Sequence, residues 1–346
     1  MRIGKITESV LKRSVIKLIG SKTTNVSAAA TTDCAYVLCD DQFNLSAMST
    51  VTWKCDRPAY YAVHKAANNI YSSGGEVDYI SLSVLLPVDA DEAALKDIIR
   101  DAKAAADELE TVIRGGHTEV TDAVIKPVIT AFVFGKSAKK PGDYKKPSEG
   151  DSIVMTKWAG LEGTAVLAEI CKEKLEERLP SHMIYDAAAF SKHISVREDA
   201  RIAFDNGAEY VHDISQGGVF AALWELCEAA GCGMDVDLKK IPIKQETVEI
   251  VNHLAINPYQ LISGGSLLMI TKDGEGLLRE FEKQGVFAEV IGNVAAGNGR
   301  IIRNEDEIRY LDKPQADEIH KIMTSWTKTR KIVQESCVSQ DTPLTL

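Results

Sequence analysis

The stretch from Tyr210 to Gly231, Tyr-Val-His-Asp-Ile-Ser-Gln-Gly-Gly-Val-Phe-Ala-Ala-Leu-Trp-Glu-Leu-Cys-Glu-Ala-Ala-Gly, constrains the fold more than any other part of the chain. It predicts a short strand, a polar turn and an amphipathic helix in immediate succession. Ser215 is placed to cap the helix, Gly217 and Gly218 let something approach the backbone closely, and the helix start aims free N–H groups at the same place. Such a helix start can hold an anion. Tight strand-to-helix packing calls for the same two glycines, so the pair alone leaves both readings open.

The flanking sequence predicts a mixed α/β and α+β chain. Apolar positions in 6–19 recur at helical spacing and end at Gly20; a Ser/Thr-rich loop follows to Asp33. Strands are expected at 34–39 and 45–53, joined through 40–44, then a helix at 59–72 opened by Pro58 and closed by Gly74-Gly75. A buried strand at 77–86, an Ala-rich helix at 91–109, a strand at 110–113, a turn at 114–119 and a strand at 128–134 complete the first half. The passage 135–150 carries five Lys, two Pro and three Gly and reads as a connector. A domain boundary there gives units 1–148 and 149–330. The second unit is expected to hold strands at 152–156, 234–238, 266–271, 287–294 and 299–310, with helices at 161–178, 196–206, 245–254 and 275–284. A helix at 317–334 leads to a tail, 331–346, whose last residues show no reason to be ordered.

Composition narrows the partners. The chain of 346 residues carries a formal charge of −10 and no long Lys/Arg run, which argues against nucleic acid as a general partner. A local nest of N–H groups can still hold phosphate. Seven scattered cysteines without a C-x-x-C pair fit a reducing cytosol and argue against zinc. No apolar run reaches membrane-spanning length, and the start lacks a signal peptide, so a cytoplasmic protein without membrane contact is expected.

Four Gly-bearing passages stand together: 114–120, 158–164, 212–218 and 257–268. Asp151-Ser-Ile-Val-Met-Thr-Lys-Trp-Ala-Gly-Leu-Glu-Gly-Thr-Ala165, His212-Asp-Ile-Ser-Gln-Gly-Gly218 and Asn257-Pro-Tyr-Gln-Leu-Ile-Ser-Gly-Gly-Ser-Leu-Leu268 carry a resemblance in order and wording. They resemble the superfamily of aminoimidazole ribonucleotide synthetase and the hydrogenase-maturation carbamoyl dehydratase, with thiamin-monophosphate kinase and selenophosphate synthetase. The resemblance implies a first α/β domain that pairs into a β-barrel across a homodimer and a second α+β sandwich domain. It also implies ATP between the domains, used to phosphorylate an oxygen, often of an amide.

Departures from that pattern bear on function. Asp33 stands in Thr32-Asp-Cys-Ala35, but the family's Asn-Asp pair reads Asn68-Asn69 and its Gly-Asp-Thr reads Gly116-His117-Thr118. The strand expected to carry Thr-Asp reads Ser49-Thr-Val-Thr52, and the N-terminal phosphate loop is replaced by Gly20-Ser-Lys-Thr-Thr24, where Lys22 could touch a phosphate or be solvated. Magnesium favours carboxylate and phosphate oxygens, so a weak or altered Mg²⁺ site is expected, with Asp33 and Glu119 as its remaining carboxylates. His117 is either a phosphate-binding or catalytic group beside Glu119, or a turn residue. The carbamoyl dehydratases act through a Cys at the extreme C-terminus; here Cys337 lies nine residues inside the end.

Two readings follow from the resemblance. In one the protein is an ATP-dependent enzyme in which Gly217 and Gly218 cradle phosphate, while Asp33, Asn68, Asn69, Gly115, Gly116, His117 and Glu119 shape the nucleotide site. Lys157 and Asp213 would then line the cleft. In the other it is a non-catalytic maturation or scaffolding dimer that has lost hydrolysis and works with a protein partner in metalloenzyme maturation.

Overall fold

The structure, a computed structural model, describes residues 3–6, 8–19 and 34–323. Asp33, the Gly20–Thr24 passage, Cys337 and the segment 331–346 lie outside the described residues. The first helical piece is α1 (Glu8–Leu11) and α2 (Lys17–Ile19) around a wider π turn at Lys12–Ile16.

The first sheet contains β1 (Ala35–Cys39), β2 (Gln42–Val51), β3 (Glu76–Leu86), β4 (Ile113–Val120) and β5 (Val128–Ser137), in the order β1-β2-β5-β3-β4. Between β1 and β2 only Asp40 and Asp41 form the turn, both with left-handed φ (48° and 64°), as a two-residue hairpin requires. The connection is therefore shorter than the sequence suggested. Helices α3 (Pro58–Ser72) and α4 (Glu92–Glu108) cover one face. Asp91 caps α4 by accepting from Ala94 N at 2.8 Å. Ile80, Leu82, Val84, Ile129, Ala131 and Val133 point into this layer and are buried, each of the larger ones worth roughly 1.5–3 kcal/mol.

One correction falls inside this sheet. The residues Arg114–Glu119 form no turn; they belong to β4, which runs parallel to β3 at the sheet edge with Leu82 opposite Gly116. Gly116 is required because a Cβ there would meet Leu82 O at 1.9 Å.

The second sheet collects β6 (Ser152–Thr156), β7 (Glu209–Ile214), β8 (Gly233–Asp237), β9 (Ser266–Thr271), β10 (Ala288–Ala295), β11 (Arg300–Asn304) and β12 (Glu307–Tyr310), in the order β12-β11-β8-β10-β6-β9-β7. Helix α9 (Gly218–Ala230) packs on one face. On the other lie α5 (Leu161–Ile170), α10 (Gln245–Leu254) and α11 (Gly274–Lys283), in an apolar core continuous with that under the first sheet. The helix expected over 161–178 breaks at Cys171, and α6 (Lys172–Glu176) follows it. Helix α7 (Ser181–Ala188) was not foreseen; α8 (Arg197–Asp205) was. Past β12 the chain crosses back over α9, and 319–323 is helical with Ile319 fully buried. Among the described residues no helix is long and apolar enough to cross a membrane.

The first sheet has helices on one side only. Its other face carries Met48 opposite Phe132, both exposed, and Tyr79 stacked on Phe134 at 4.7 Å. Apolar residues exposed together on a sheet face call for a partner surface. Light scattering at micromolar concentration should give about twice the 37.8 kDa chain mass, and Met48→Glu with Phe132→Glu should halve it. A wild-type protein that runs as a monomer would remove the basis for a dimer through this face.

Candidate functional site

The strand–turn–helix of 209–230 forms as the sequence dictates, but its turn is used differently. Gly217, not Ser215, is the capping position, and no side chain of the turn bonds the helix start. Gly217 and Gly218 both have left-handed φ, 88° and 63°. A Cβ on Gly218 would lie 2.6 Å from Leu261 O and 2.7 Å from Tyr259 O, so the glycine lets α9 begin against the 257–265 loop. The Gly217 N–H donates to Asp317 Oδ2 at 2.6 Å, and Asp317 Oδ1 accepts from Ile319 N at 2.9 Å. A carboxylate from the segment after β12 therefore sits where an external anion was one of the two readings of the sequence. Burial raises the Asp317 pKa, and the backbone N–H groups work against that rise. Asp213 is buried on β7 opposite Leu267 of β9.

Two more expected residues meet at the segment 193–196. Lys157, held at φ 54°, donates from Nζ to Ser195 O at 2.7 Å and His193 O at 3.2 Å, and pairs with Asp199 Oδ2 at 3.0 Å. Asn68 on α3 donates to Ile194 O at 2.8 Å and accepts from Val196 N at 3.1 Å. Together they take consecutive peptide groups of one short segment from two directions. Asn69 beside it is half-buried, and its carbonyl accepts from Ser72 and Ser73.

Gly115, Gly116, His117 and Glu119 stand apart from this seam on the exposed strand β4. His117 Nε2 and Glu119 Oε2 are 3.0 Å apart with both side chains more than half exposed. One imidazole and one carboxylate on an exposed strand fit magnesium poorly. Among the described residues no group of three or more His, Cys, Asp and Glu is arranged to hold a metal ion.

The strongest polar cluster was missed by sequence reasoning. Lys65 Nζ on α3 pairs with Glu162 Oε1 on α5 at 3.1 Å, both buried, and lies 4.6 Å from the centre of the Trp53 ring. Glu162 Oε2, Trp53 Nε1, Tyr61 Oη and Glu169 Oε2 are buried without hydrogen-bond partners. Tyr61 and Lys65 are four apart on one helix face, and Glu162 and Glu169 are seven apart on the facing helix. Burial raises the Glu162 pKa and Lys65 opposes it; burial, then Asp56, pushes Glu169 up to about 7. Two N–H or O–H donors and two carboxylate oxygens are thus left open along this contact, Glu162 beside Lys65 and Glu169 beside Asp56 and Arg57. A carboxyl held in this way can take up or release a proton near neutrality. A signal was present: Lys65 interrupts the apolar run Ala59–Ala67, and Glu162 interrupts Ala159–Leu167.

The matches to known proteins agree with the mixed α and β fold. Residues 14–137 match the model described as AIR synthase related protein, N-terminal domain, and 148–303 match its C-terminal domain. The chain belongs to the AIR synthase related family. A putative hydrogenase expression/formation protein of Methanocaldococcus jannaschii is 25% identical over 92% of this chain and 97% of its own. Carbamoyl dehydratase HypE of Azotobacter vinelandii is 25% identical over 75% and 77%. The fold resembles that of the hydrogenase maturation protein HypE crystallised in complex with ATP, with a TM-score of 0.66, 18% identity, and 92% and 97% coverage.

Glu169 gives the site a pH signature. Its pKa is higher folded than the ordinary 4.5, so the folded state holds more protons between about pH 4.5 and 7, and stability falls as pH rises through that window. The loss should reach on the order of 2 kcal/mol by pH 8. Urea titrations of Glu169→Gln should show this slope removed; an unchanged slope would place the titrating group elsewhere.

Proposed function

We propose that this family member is a cytoplasmic, homodimeric, ATP-dependent enzyme that phosphorylates an amide or other oxygen of a small or protein-borne substrate. Its units are 1–148, the nucleotide-binding and dimerising domain, and 149–330. The observation that carries the reading is the buried donor–acceptor set of Trp53, Tyr61, Lys65, Glu162 and Glu169 in the seam between the two family halves. The relatives named for hydrogenase maturation and carbamoyl dehydration, and the ATP complex of one structural neighbour, support ATP as co-substrate and a maturation partner as the substrate's carrier.

On a carboxamide the oxygen attacks the γ-phosphorus, ADP leaves, and one N–H proton is lost. Expulsion of phosphate with loss of the second N–H proton gives a nitrile, which is a dehydration. Glu162 and Glu169 are the groups to accept those protons, and Trp53 and Tyr61 the donors to hold the oxygen. Asp33, Asn68, Asn69, Gly115, Gly116, His117 and Glu119 shape the nucleotide side, Gly217 and Gly218 the phosphate turn, and Lys157 and Asp213 position the cleft. Magnesium has a weak place in this reading because the described donor set does not fit it.

A specific observation favours the second reading, a non-catalytic maturation scaffold: the Gly217 N–H is already bonded to Asp317. Calorimetry with ATP separates the two. The enzyme reading expects binding that changes less than about tenfold, ~1.4 kcal/mol, when magnesium is withdrawn. His117→Asp should make binding more dependent on magnesium, and ADP should form in the presence of a carboxamide substrate. Binding without ADP across carboxamide peptides would leave the scaffold, and no heat with ATP in either condition would remove both nucleotide roles.

A further inference from the structure

The second half contains a pair of cysteines that the proposed chemistry does not use. Cys227 lies in the last turn of α9, and Cys232 follows the left-handed cap Gly231, φ 62°. Cys232 N donates to Cys227 O at 3.3 Å. That bond brings the two backbones within the roughly 4.4–6.8 Å Cα separation that a disulfide spans. Both thiols are free and buried in the same apolar cluster. A helix end of this type commonly places an apolar contact between these two positions. Here the contact is made by two sulfurs beside a cation.

That cation is Arg300 on β11. Its guanidinium stacks over Trp224 at 3.7 Å and pairs with Glu228 through Nη2, while its buried Nε–H has no hydrogen-bond partner. The Cys232 pKa is lowered, first by the neighbouring Cys227 thiol and then, against the opposing effect of burial, by the positive charges of Arg300 and Lys146; Arg300 acts on Cys227 as well. Cys227 moves the opposite way, pushed up first by the neighbouring Cys232 thiol and then by burial. Exposure names the attacking sulfur: Cys232 is 7% accessible and Cys227 1%, so an oxidant reaches Cys232 first, and the pKa directions agree.

We propose that Cys227 and Cys232 form a reversible disulfide modification site on the end of α9, with peroxide as the oxidant and Cys232 as the attacking sulfur. The Cys232 thiolate attacks one peroxide oxygen, the O–O bond breaks, and hydroxide leaves as water after taking a proton. The resulting sulfenic acid is attacked by the Cys227 sulfur; the S–O bond breaks, and the second oxygen leaves as water with the Cys227 proton. Two electrons pass from the two sulfurs to one peroxide. Four residues separate the cysteines, so the closed form adds little loop entropy to stability and remains open to reduction by thiols.

The sequence supplies the assay. Trypsin releases Ile202–Lys239 as one peptide containing both cysteines and no others. The full chain is treated with hydrogen peroxide, quenched and alkylated under denaturing conditions before digestion. The expected peptide carries no alkyl groups and is two hydrogens lighter than the unalkylated reduced peptide, and dithiothreitol before alkylation restores two alkyl groups. Cys227→Ser should leave Cys232 trapped as a sulfenic acid that dimedone captures, whereas Cys232→Ala should leave Cys227 fully alkylable. A wild-type peptide that keeps both alkyl groups, or that gains sulfinic oxygens at Cys232 without losing hydrogens, overturns the proposal whatever the variants do.

Discussion

Three peptide groups in the segment 193–196 hold the two halves of the molecule in one arrangement. Asn68 takes a carbonyl and an N–H from it, and Lys157 takes the carbonyls on either side. Buried backbone groups left unpaired are costly, so this stretch, which leaves a 3-10 turn at His193 and has no regular structure over 194–196, is held there by both side chains. Asn68 comes from α3 under the first sheet and Lys157 from the end of β6 in the second. Any shift of one half against the other would strip these bonds and expose the Lys157–Asp199 pair. The clasp fixes α3 against α5, and that contact aligns Lys65 with Glu162.

The second constraint is the crossing of the chain's end over α9. Asp317 bonds Gly217, Glu318 Oε2 accepts from Asn257 N at 3.2 Å, and Ile319 enters the core. This segment ties the turn before α9 to the 257–265 loop, the two passages that Gly218 already brings into backbone contact. Gly218 thus permits this packing, and the helix start satisfies a carboxylate from within the chain.

Much of the fold was legible in the sequence because apolar periodicity and turn residues report local geometry. Strands β3, β5, β6 and β9 and helices α3, α4 and α9 stand close to where the pattern placed them. The misreadings share a cause. Gly115-Gly116 looks like a turn, yet Gly116 is demanded by the backbone of β3, a neighbour in space. Ser215 has the chemistry of a cap, yet the bond at the helix start goes to Asp317, a hundred residues away. Of the expected site residues, Asn68, Lys157, Asp213, Gly217 and Gly218 lie in or beside the seam and the turn, whereas His117 and Glu119 stand on an exposed strand. The Lys65–Glu162 pair depends on two helices meeting, and only the lone charges inside apolar runs announced it.

The balance of buried charge sets a condition on any ligand here. Burial raises the pKa of both Glu162 and Asp317, Asp317 adds to the rise of Glu162, and Lys65 is the cation that offsets both. Unit charges about 4 Å apart at an effective dielectric near 20 interact by ~4 kcal/mol, so an arriving phosphate beside two carboxylates and one ammonium is repelled unless something changes. Either a carboxyl holds its proton, which burial of both groups favours, or the anion brings a cation, or Asp317 leaves the Gly217 N–H. The last route frees an N–H already aimed at an anion and removes one negative charge in a single movement. Displacement of the Asp317 carboxylate and cation binding at β4 are separable effects because the groups lie on different elements.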